Sequence, residues 1–115
     1  MKLIFAVYDL KAEAYGNPMF FTARGLAVRG FTDAAKDPQS PLAQHPGDFA
    51  LHELGTYDAS SGEFKSHSVP KFVVSAASAV AEADKRRMAT EPLLAGVDPV
   101  VGEESGAEDK VNETA

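Results

Sequence analysis

Residues 49–68 read FALHELGTYDASSGEFKSHS, and the middle of that stretch is built to reverse the chain. DASSG at 58–62 supplies an Asp and two Ser whose short side chains bond turn backbone, followed by a glycine that accepts positive φ. The segment 49–57 before it carries Phe, Leu, Thr and Tyr, and residues 63–68 return after it. The spacing predicts an antiparallel hairpin.

Working outward, residues 3–8 (LIFAVY) are dense in apolar and aromatic side chains and end at Asp9, which predicts a buried strand. Residues 10–18 contain Gly16, Asn17 and Pro18 and read as a connection, with room for one helical turn in KAEA. A helix follows. Thr22 is placed to cap it, Ala23, Ala27, Val28, Phe31, Ala34 and Ala35 recur on one face, and Arg29, Asp33 and Lys36 fall opposite. Gly25 and Gly30 each cost that helix about 1 kcal/mol relative to Ala, which close approach to a sheet would explain. Residues 36–47 hold Pro41 and Pro46 and read as a loop with a short helical turn at 42–45. Residues 70–87 start with Phe72, Val73 and Val74, turn alanine-rich and end in AEADKRR, a second helix with a cationic last turn. The expected fold is α+β: a small antiparallel three-stranded sheet packed with one or two helices, in the order strand, helix, hairpin, helix. The open edges of such a sheet predict a homodimer, formed through an edge or the open face.

Charge divides the chain. Residues 1–87 carry ten acids against ten Lys and Arg, whereas residues 88–115 carry seven acids against Lys110 alone and account for the net charge of −6. The expectation is a single domain over 1–87 and an acidic, disordered tail over 88–115. The global acidity is therefore a weak argument against a polyanionic partner of the domain. The chain has no cysteine, which removes disulfides and thiolate metal sites and fits a reducing compartment. MKLIFAVYD lacks the long apolar run of a secretory signal. No stretch approaches the ~20 apolar residues of a membrane span.

An ordered series of residues resembles a known family. YDLKAEA at 8–14, PMFF at 18–21, Arg29 within the helix, HPGDF at 45–49, and Gly55, Tyr57, Asp58 and Gly62 of the hairpin are similar to the small nonstructural protein of gokushovirus-type microviruses. The resemblance covers residues 1–79. It implies a DNA-binding, nonstructural protein of a small single-stranded DNA phage, working in the host cytoplasm, with a role in the switch to single-stranded genome production. The acidic tail departs from the compact form of the family.

The residues offer one candidate site. Phe20 and Phe21 precede the helix and Arg24 lies in its first turn, so a phosphate on the free amides and a base stacked on a Phe would fit there. The competing reading makes one Phe core and lets Arg24 run out along its stem to solvent. Arg29, Lys11 and Lys65, with Lys2 and Lys71, could add a diffuse positive footprint if the fold brings them together. Lys85, Arg86 and Arg87 could touch phosphate or serve the helix dipole. His45, His52 and His67 match no zinc spacing and read as incidental surface or turn residues. No metal site or cofactor is expected. Asp9 with Glu13, or Glu53 with Asp58, could pair as carboxylates, but no nucleophile elbow, phosphate loop or metalloprotease motif completes an active site. Two functions follow as expectations: a single-stranded DNA-binding protein of phage genome replication or packaging, or an interaction module that recruits or inhibits a host or phage replication protein. Neither is an enzyme.

Overall fold

The computed structural model describes the backbone of residues 1–95 and the side chains of residues 1–88. Met1–Glu82 form one compact unit, and the chain from Ala83 on belongs to a second. The predicted sheet is larger than expected. It contains β1 (Lys2–Asp9), β2 (Ala14–Tyr15), β3 (Met19–Phe21), β4 (Phe49–Asp58) and β5 (Glu63–Ser75). The order is β2-β1-β4-β5, with β3 also on β1, and every pairing is antiparallel.

The two added strands come from the segment read as a connection. Tyr8 faces Tyr15, Phe5 faces Met19 and Leu3 faces Phe21, so β2 and β3 form one return strand broken at Gly16, Asn17 and Pro18. An edge tolerates that interruption, because a proline there withholds no hydrogen bond from a neighbour on its outer side. Lys11, Ala12 and Glu13 of KAEA make the turn that precedes this return strand. The Asp9 carboxylate accepts from the amides of Lys11 (3.0 Å) and Ala12 (3.2 Å), and Glu13 closes the reversal at φ 56°.

The hairpin forms as read. Asp58 accepts from the amide (2.9 Å) and hydroxyl (2.7 Å) of Ser60, and Gly62 takes φ +75°. Its second arm is longer than predicted, because β5 runs through Pro70 to Ser75 before α3 (Ala76–Ala95) begins. Residues 72–74 are therefore strand and not the start of the helix, and the helix passes Arg87. Residues 96–115, the greater part of the segment read as a disordered tail, lie outside the described residues.

One face of the sheet carries the core. α1 (Arg24–Lys36) lays Ala27, Phe31 and Ala35 against Phe5 and Leu51, joined by Ala76 and Ala79 of α3. Leu42 of α2 (Pro41–Gln44) packs at the margin of this cluster. Small residues at the contact let α1 approach the strands closely. The glycines do not serve that purpose: a Cβ on Gly25 would meet nothing within 4 Å, and one on Gly30 would touch only Phe21 at 4.0 Å. Gly30→Ala is accordingly expected to stabilise the protein by about 0.5–1 kcal/mol, read as a Tm a few degrees higher by circular dichroism. The helix start also differs from expectation. Ala23 and not Thr22 is the N-cap, with no side-chain bond to the free amides.

Candidate nucleic-acid interface

The cross-strand register sorts the aromatic residues of the chain, seven Phe and three Tyr, onto two faces. Phe5, Phe21, Phe31 and Phe49 belong to the core side. All three tyrosines, with Phe20, Phe64 and Phe72, occupy the other face. Phe20 pairs across with Ile4, Tyr57 with Lys2 and Phe64, Tyr15 with Tyr8, and Phe72 with His52, which itself faces Ala6.

These rings form two groups. At one end Phe20, Tyr57 and Phe64 meet with centroids 5.6 Å (Phe20–Tyr57), 6.1 Å (Phe20–Phe64) and 4.8 Å (Tyr57–Phe64) apart. At the other, Tyr8 lies 4.7 Å from Tyr15 and 5.6 Å from His52, and His52 lies 6.0 Å from Phe72. All fall within the 4.5–7 Å range of favourable ring pairs. Phe20 and Phe64 belong to strands separated by β1 and β4, which a flat sheet would hold about 14 Å apart at ~4.8 Å per strand. Their contact shows that the sheet curls, with the aromatic face concave. The curl buries Ile4 and Ala6 between the two groups.

The face stays open at its margins: Phe20 is 41 %, Phe64 62 % and Phe72 65 % exposed. Among the cross-strand paired positions on this face there is no carboxylate, and Lys2 is the one charged side chain. The Tyr15 hydroxyl and His52 Nδ1 are 3.1 Å apart, and burial holds the His52 pKa below its ordinary value. The imidazole is thus neutral near pH 7.

A second cluster lies on the core side of β4. Glu53 is 5 % exposed and in phase with Leu51, so it points beneath the helix. Arg24 Nη2 donates to its Oε1 at 3.0 Å, and His67 Nε2 donates to its Oε2 at 2.7 Å. A carboxylate only accepts, so Nε2 carries the hydrogen. Burial pushes the Glu53 carboxyl up, but the hydrogen bonds and charges of His67 and Arg24 outweigh it and hold the group below the usual carboxylate range. His67 sits in a segment, residues 67–70, that bulges out of the β4–β5 ladder between Ser66 and Lys71. The three side chains tie α1, β4 and that bulge together.

Against this geometry the predicted residues separate. Phe20 is on the open face. Phe21 packs into the core with its ring 6.0 Å from Phe5, and Arg24 is engaged by Glu53, so the junction is not assembled as one site. Arg29 lies exposed on α1, on the core side of the sheet. Lys65, opposite Thr56, and Lys71, opposite Glu53, lie in register with the core side, away from Lys2. The lysines are therefore not gathered on one face. Lys11 lines a shallow cavity of about 270 Å³ with Asp9, His45, Asp48 and Phe49. Lys85, Arg86 and Arg87 belong to the second unit, where Arg87 lies 3.8 Å from Asp84. Tyr8, Tyr15, Tyr57, Phe64 and Phe72 were not anticipated, and neither was the role of His67 or Glu53. The alternation in β4, with Glu53 two residues after buried Leu51 and on the same face, is the signal that marks a buried carboxylate.

A family model described as Phage ORF5 protein matches residues 2–79. The chain belongs to that family. It is a phage protein, and the matched span holds the sheet, α1, α2 and both aromatic groups of this Phage ORF5 member. No curated protein and no solved structure matches the chain. No helix among the described residues is long and apolar enough to cross a membrane.

Proposed function

We propose that this phage protein binds single-stranded DNA on the concave aromatic face, as the nonstructural protein of a gokushovirus-type microvirus, and acts in genome replication or packaging in the host cytoplasm without enzymatic activity. The supporting observation is the sorting of the aromatics: three tyrosines and three phenylalanines share one sheet face whose paired positions carry no carboxylate. Every base has a face that stacks on such rings, so recognition tolerates sequence, at ~1–3 kcal/mol per base. With Lys2 on the face and Lys11 at its margin, the electrostatic share is small. The log–log salt dependence should have a slope of only about −1 to −2, at ~0.7 per neutralised phosphate.

The chain has three tyrosines and no tryptophan, so its intrinsic emission comes from this face alone. Titration with an oligothymidine of ~12 nucleotides, within the range of known single-strand site sizes, is expected to quench that emission. Anisotropy of the labelled oligonucleotide should report weak, salt-sensitive binding. Phe64→Ala should weaken it by ~1–3 kcal/mol, one stacked base. No quenching and no anisotropy change with the unaltered chain would discard the reading. Comparing the full chain with residues 1–95 tests whether the acidic segment competes with DNA; a tighter shorter chain would assign it that role.

One observation favours a second reading, a surface for a second copy or a host or phage replication protein: Phe64, Val69 and Phe72 lie exposed on the edge strand β5. Pro70 and the bulge at 67–70 interrupt that edge and blunt strand addition. Association that persists at high salt, without quenching by DNA, would support it.

A further inference from the structure

We infer that the cavity at the Tyr8–His52–Phe72 end of the open face is a base-selective subsite that takes a guanine ring, with the Asp48 carboxylate on its Watson–Crick edge. The inference rests on the single-strand reading above and adds a preference to it. The cavity measures about 320 Å³, the lower end of the range for small-molecule sites, which suits one ring system. It exists because Ala50 and Ser75, facing each other and next to Tyr8 in the ladder, are small. Tyr8, His52 and Phe72 supply aromatic walls, and the short turn before β4 places Asp48 on the lining.

Asp48 changes what the cavity can hold. Its backbone is engaged, the amide donating to His45 O (3.0 Å) and the carbonyl accepting from Leu10 N (2.8 Å). Among the described residues its carboxylate makes no hydrogen bond or ion pair of its own. An unpaired carboxylate repels phosphate and accepts from N–H donors, as acidic side chains do from a cytosine amine. Guanine alone among the four DNA bases presents two adjacent donors, N1–H and the N2 amine, on its Watson–Crick edge, and so can bond both carboxylate oxygens. Lys11 lines the neighbouring cavity that shares Asp48 and Phe49, a cation on the side where the strand's phosphate would continue.

The test uses the full chain and labelled oligothymidines carrying a single dG, dA or dC. The oligonucleotide with dG is expected to bind about tenfold more tightly than plain oligothymidine, the scale of one bidentate base contact, and dA and dC to gain less. Asp48→Ala should level the series while leaving plain oligothymidine within twofold. Ala50→Leu, which fills the cavity, should also level the series, whatever it does to plain oligothymidine. Equal affinity of the unaltered chain for all four oligonucleotides overturns the subsite whether or not the variants fold, and so does a guanine preference that survives both substitutions. Binding of oligothymidine with no guanine preference leaves the single-strand reading standing, whereas no binding of any oligonucleotide removes that reading as well.

Discussion

Gly55→Ala is expected to lower stability by about 3 kcal/mol, the upper end of what inserted atoms cost in a packed site. Gly55 follows the β4 bulge at Leu54 and pairs with Ile4 on one side and Ser66 on the other. A Cβ there would lie 2.9 Å from the Ser66 Cα and closer still to the Lys65 carbonyl oxygen. Both neighbours are backbone, so no rotamer change relieves the clash. The hairpin arms must separate, which breaks the ladder where the sheet curls. The same displacement pulls Phe64 away from Phe20, whose rings meet only because of that curl. The urea midpoint of Gly55→Ala should fall well below that of the parent, and the folded fraction should bind oligothymidine more weakly. An unchanged midpoint would show that the strand separates at little cost and that the glycine does not set the curvature.

What could be read in the sequence follows from the range of the interactions. The β1 strand and the Asp58–Gly62 turn were legible because local chemistry decides them: an apolar run, and side chains that bond their own turn. The return strand was hidden because Gly16, Asn17 and Pro18 carry loop chemistry, and only pairing to β1 overrides it. Residues 70–75 were hidden in the same way: they were read into the helix that follows, yet β5 continues through Pro70 to Ser75 as an edge strand. The candidate site was legible in part. Phe20 was singled out from its place before a helix, but the rings that surround it, Tyr57 and Phe64, come from the far hairpin, and their meeting depends on a curl of the sheet that only long-range pairing produces. Arg24 was read as exposed and available because its acceptor, Glu53, lies on β4, far along the chain.

That ion pair gives the second large effect. Arg24→Ala should destabilise the protein by about 2 kcal/mol at pH 7, less than the 3–5 kcal/mol for breaking a fully buried pair, because the Arg24 side chain is 58 % exposed and water screens part of its charge. The loss arises on Glu53, which stays buried with His67 as its remaining partner. Its sign with pH is fixed by the direction of the Glu53 shift. A carboxyl held below its ordinary pKa in the folded state stabilises fully above that ordinary value, near 4.3, and the stabilisation disappears as pH falls through the depressed folded pKa. The gap between parent and variant should therefore be widest near neutrality and narrow below about pH 4, measured as urea midpoints across that range. Binding gives the complementary test. Arg24 belongs to the core side and Lys2 to the open face, so the folded variant should keep its oligothymidine affinity within twofold and its salt slope unchanged. A slope reduced by ~0.7, one phosphate contact on a single strand, with stability intact, would instead place Arg24 on the DNA and move the interface to the start of α1.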